Sequence, residues 1–151
     1  MPYNKIIIEC LASAIGTMAF ALLFSVPKKE YPYCGFIGLA GWLAYSLLKI
    51  CVPGPAGIFL AASTVVILSR IFAVRRKCPA SIFMVPGLFP LVPGAGIYWA
   101  VYGLVSSDGA ELANSGRGAL SDAVAIVLGI VIVSELPQSL FSFIGKKHFF
   151  K

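Results

Sequence analysis

Between Cys78 and Ser107 the chain carries no charged residue, yet the run Pro86-Gly87-Leu88-Phe89-Pro90-Leu91-Val92-Pro93-Gly94-Ala95-Gly96 holds three prolines and three glycines in eleven residues. A stretch this apolar belongs in a membrane. Each proline removes a backbone donor and clashes with the preceding turn. In lipid an unsatisfied backbone group costs several kcal/mol, so non-helical backbone survives there only against protein or a water-filled cavity. Two readings follow. The segment either contributes to a substrate site, as interrupted helices do in transporters, or is a kinked helix whose prolines shape packing. The first makes Pro86, Gly87, Pro90, Pro93, Gly94, Gly96 and Tyr98 the candidate pathway residues.

Composition agrees with a membrane chain. It is 59% hydrophobic and 12% charged, with a mean hydropathy of +0.92. Soluble domains carry about 25% charged residues. A single domain is expected over residues 1–151, all-α, with five apolar segments at about 6–26, 35–52, 56–74, 81–105 and 119–136. The fourth is the interrupted one. A span needs about 20 residues, range roughly 17–25; the second and fifth qualify narrowly. The second and third also fit a helical hairpin that stops short of crossing. Pro53-Gly54-Pro55 separates them. Ser106 to Gly118, rich in Gly, Ser, Asp and Asn, is expected to be a polar loop. The N-terminal segment is expected to be retained rather than cleaved, because Leu22-Leu23-Phe24 continues it past the small residues.

The net charge of +6 does not point to nucleic acid, because the bases cluster beside apolar segments. With five spans, Lys28, Lys29, Arg70, Arg75, Arg76, Lys77, Lys146, Lys147 and Lys151 share one side; Lys5, Lys49 and Arg117 share the other. The richer side is cytoplasmic by the positive-inside rule. The N-terminus is then outside and the C-terminus inside.

Four ionisable residues in or near the spans are candidate charge partners. Arg70 lies one turn inside the third segment's cytoplasmic end, where snorkelling is an equal reading. Glu9 and Asp122 lie near the expected outer ends of segments one and five, and Glu135 near an inner end. Asp122 also fits the first turn of the fifth segment, with Ser121 as its cap. His148 in the tail reads as solvated, and Phe149-Phe150 as membrane-surface residues. Gly35, Gly38 and Gly41 recur at helical spacing and read as close helix packing. Cys10, Cys34, Cys51 and Cys78 form no C-x-x-C pair and read as apolar filler. No metal, cofactor or catalytic pattern is visible, so no enzyme is expected.

Three stretches together resemble the threonine/serine exporter family: Phe24-Ser25-Val26-Pro27-Lys28; Arg75-Arg76-Lys77 with Pro79 and Phe83; and Pro86 through Tyr98. More narrowly, the chain resembles the family's second membrane half, a separate small subunit of the YjjB type in many bacteria. The resemblance implies a small-molecule exporter of the bacterial cytoplasmic membrane with a larger membrane subunit as partner. It implies export of threonine and serine, or of dicarboxylates such as succinate, driven by an ion gradient. The competing class is a non-transporting assembly or stabilising subunit.

Overall fold

The computed structural model describes residues 3–52 and 54–137. Pro53 of the expected 53–55 break lies outside the described residues. So does the tail with Lys146, Lys147, His148, Phe149, Phe150 and Lys151, and with it the tail's share of the charge asymmetry. The described chain is helical: α1 (Tyr3–Leu23), α2 (Tyr31–Cys51), α3 (Pro55–Arg76), α4 (Ser81–Leu88), α5 (Gly94–Val105) and α6 (Gly109–Ser134), with short 3-10 turns at Lys28–Glu30 and Phe89–Leu91. Helices α1, α2, α3 and α6 are each long and apolar enough to cross a membrane. The pair Ser81–Leu91 and Gly94–Val105, bent by 52°, makes a fifth span when taken as one broken unit. This is the expected all-α membrane architecture with an interrupted fourth element.

Helix α3 is the centre of the bundle. Ala61, Ala62, Val65, Val66 and Ser69 are fully buried, and α2, α4 and α6 all pack on it. Small side chains let neighbouring backbones approach closely where lipid supplies no hydrophobic drive between helices. Hydroxyls on apolar helices need partners, and Ser63, Thr64 and Ser69 each donate to the carbonyl four residues back. The glycine row of α2 serves two neighbours. A Cβ at Gly35 or Gly38 would run into Met18 or Thr17 of α1, and one at Gly41 into Val65 of α3. Ser13 Oγ donates to the Gly38 carbonyl at 2.9 Å across this tight contact.

One expected boundary is corrected. Ser106 to Gly118 is not a loop: 106–108 make the turn and 109–118 are the first turns of α6, 26 residues long. Asp108 is the N-cap, its carboxylate accepting from the amides of Ala110 and Glu111, each at 3.1 Å. Gly103 of α5 lies so close to α6 that a Cβ would meet Leu112 N at 2.6 Å. The cap and this close packing hold a polar, glycine-bearing stretch helical. As a second consequence, Asp122 sits near the middle of a helix rather than in its first turn, and Ser121 is not a cap.

Candidate functional site: a cleft at the α4–α5 break

The break is built step by step by its prolines. Pro86, inside α4, has no N–H to offer the Ile82 carbonyl. That carbonyl accepts instead from the Cys34 thiol of α2, at 3.7 Å. Pro86 itself is fully buried, and a Cβ on Gly87 would press on Ile37 and Val65 at 2.9 and 3.1 Å. The chain then tightens into the 3-10 turn Phe89–Leu91, where the Phe89 amide reaches the Pro86 carbonyl. Phe89 stacks on Phe20 at 4.0 Å between centroids and meets Phe24 at 5.4 Å, which fixes the turn against α1. After Val92 (ψ 130°) and Pro93 (ψ 57°) the helix restarts at Gly94 with no side-chain cap. The Gly94 amide bonds back to Val92 O and the Ile97 amide to Pro93 O. The amides of Ala95 and Gly96 have no backbone acceptor among the described residues, as befits a first turn.

A cleft of about 380 Å³ opens at this restart, walled by Pro90 to Gly96 of the break, by Trp42 and Tyr45 of α2, by Ile58 of α3, and by Ser115, Gly118, Ala119 and Asp122 of α6. The structure thus brings together Pro90, Pro93, Gly94, Gly96 and Asp122. A second cleft of about 330 Å³ shares the Trp42–Tyr45 wall and contains Lys5, Glu9, Ser46 and Lys49. Across the wall, Trp42 Nε1 donates to Glu9 Oε2 at 3.3 Å, while Lys5 lies 4.0 Å from the other carboxylate oxygen.

The remaining candidates lie elsewhere. Pro86 and Gly87 are packed into the bundle below the cleft. Tyr98 is 62% exposed and meets Trp99 edge-on at 5.3 Å on the outer surface of α5. Arg70 is at the far end of α6, where its Nη1 donates to the carbonyls of Val133 and Ser134 at 2.6 and 3.1 Å. There it satisfies last-turn acceptors and faces the negative end of the helix dipole. Glu135, the C-cap residue of α6, is exposed at the same end. Trp42, Tyr45, Ile58 and Ser115 escaped sequence reasoning. Tyr45 and Lys49, one turn apart, hint at a shared face, but nothing in the sequence says that this face meets the break.

The fold, four helices long and apolar enough to cross a membrane and a bent apolar pair beside a cleft, is that of a multi-pass integral membrane protein. Residues 9–136 match the family described as "Threonine/Serine exporter, ThrE", and the chain belongs to that family, one of exporters rather than enzymes. An uncharacterized protein of Haemophilus influenzae is 29% identical over 102 residues, which are 67% of this chain and 34% of the relative. The chain therefore spans about a third of that relative's length. No solved structure matches it.

Proposed function

We propose that this chain is the membrane subunit of a two-component exporter of small carboxylate-bearing solutes, with threonine and serine or a dicarboxylate such as succinate as cargo. It works with a larger subunit of the same family in the bacterial cytoplasmic membrane, with its N-terminus outside and C-terminus inside, and an ion gradient drives it. The observation that carries the reading is the cleft at the α4–α5 break. The helix restart, whose first-turn amides lack backbone acceptors, and Asp122 line one cavity between helices, and broken helices of transporters receive solutes at such places. The amides of Ala95 and Gly96 suit a substrate carboxylate, since a helix N-terminus favours an anion. The need for a partner is supported by the exposure of Val92, Gly94 and Ala95, because a helix break in lipid requires a protein or water cover.

The test is efflux from proteoliposomes loaded with labelled threonine, serine or succinate. The chain alone should give little flux, and the chain with the larger subunit should restore it. Full transport by the purified chain alone would reject the two-component reading. Complex assembly without flux of any of these solutes would favour a stabilising subunit.

A further inference from the structure

We propose that Asp122 selects the substrate's ammonium group, so that the cleft takes a small zwitterionic amino acid and discriminates against dicarboxylates. This rests on the exporter reading above. Asp122 is the one charged side chain in the lining of the cleft among the described residues. No hydrogen bond or ion pair joins it to another described residue. An intramembrane carboxylate without a partner is costly, and such residues mark substrate or ion sites. A cationic group entering the cleft would meet this carboxylate with the Trp42 and Tyr45 rings beside it. Aromatic faces of this kind add attraction for a cation; Lys49 Nζ already lies 5.7 Å from the Tyr45 centroid, so Trp42 is the ring left to a substrate. The two rings lie 5.4 Å apart, centroid to centroid.

The surrounding charges sharpen the choice. From α2, the only titratable group in the lining is the Tyr45 phenol; α3 and the break contribute none. Lys5, Glu9 and Lys49 are in the adjoining cleft beyond the Trp42–Tyr45 wall. Arg117 of α6 lines a separate groove with Pro55, Leu120 and Val124. A dianionic solute with one carboxylate on the helix-restart amides would bring its other toward Asp122 in a lining that holds no basic residue; Lys49 is engaged over Tyr45 from the adjoining cleft. Like charges placed together are the repulsive element by which a site rejects a competitor. A monoamino acid offers an opposite charge at each place. Ser115, also in the lining, donates its Oγ hydrogen to Glu111 Oε1 and keeps its lone pairs to accept from a substrate hydroxyl.

The experiment uses the complex of chain and larger subunit in proteoliposomes, with flux counted per assembled complex. Asp122→Asn keeps the shape and removes the charge; it should lower threonine flux at least ten-fold, and Asp122→Glu should recover part of it. In the wild-type complex, threonine amide, which keeps the ammonium group, should compete with labelled threonine, and N-acetylthreonine should not. Wild-type flux in Asp122→Asn, or competition by N-acetylthreonine equal to that of threonine, overturns the assignment. A wild-type complex that moves succinate but no amino acid overturns it while leaving the exporter reading intact. A complex that moves neither class overturns both.

Discussion

Arg76 at the end of α3 grips Glu30, the buried residue just before α2, through Nε and Nη2 at 2.9 and 2.8 Å from its two carboxylate oxygens. The guanidinium also lies over the Tyr33 ring at 4.7 Å. Planar, two-point contact of this kind is a property of arginine that lysine lacks. Glu30→Gln and Arg76→Lys should both lower the melting temperature of the purified protein in detergent. Glu30→Ala should do so most, because it leaves the arginine without its buried acceptor. Unchanged melting in all three would mean that the pair does not tie α3 to the start of α2.

Phe83 is fully buried between α3 and α2, with Phe72 tilted against it at 6.2 Å. Phe83→Ala should cost roughly 3–5 kcal/mol, read as a loss of unfolding free energy in mixed detergent. Asp108→Ala should cost about 1 kcal/mol as a lost cap, and should speed amide exchange in 109–112 while leaving α3 untouched.

The break itself is tested by Pro90→Ala, Pro93→Ala and Gly94→Leu. Alanine and leucine favour a continuous helix, which would withdraw the backbone amides at the restart. Flux per assembled complex should fall about ten-fold, on the scale of 1.4 kcal/mol per decade, with membrane insertion preserved. Gly94→Ala is the control. A Cβ there meets nothing within 4 Å, so packing is not what that position guards. If all three variants keep wild-type flux, the break does not line the pathway.

Topology can be read from thiols. Cys51 is exposed at the end of α2, while Cys10 and Cys34 are buried. Single-cysteine variants treated in intact cells with an impermeant reagent should label at Cys51 from outside. Cys78, in the turn between α3 and α4, should label only after the cytoplasmic side is opened. Labelling of Cys78 from outside with none at Cys51 would invert the proposed orientation.

Much of the architecture was legible in the chain. Apolar length and proline chemistry are local properties, so the five segments and the interruption at 86–93 follow from residue order alone. A proline beyond a helix's first turn has no N–H for the bond to the fourth residue back, whatever surrounds it. The helical state of 109–118 was not legible, because its composition is that of a loop and its helix depends on the Asp108 cap and on Gly103 packing against it. The glycines of α2 announced close contact but not that Gly38 meets α1 and Gly41 meets α3.

The same division holds for the site. Pro90, Pro93, Gly94 and Gly96 share one short stretch, and their common presence in the cleft is a consequence of sequence. Asp122, Trp42 and Tyr45 join them from 26 to 54 residues away in the chain, and no periodicity encodes that meeting. The start of α6 at Gly109 sets which turn of the helix reaches the break, and the seat of α2 on α3 sets which aromatic residues face it. Arg70 shows the converse. Its charge near the end of an apolar span fits an anionic partner or snorkelling equally, and packing sets it against the carbonyls of Val133 and Ser134. The sequence by itself determined how many apolar elements there are and where one must be interrupted, because backbone hydrogen bonding in lipid is a local demand. The tertiary structure decided which side chains share the cavity, because that depends on the depth and rotation of each helix against its neighbours.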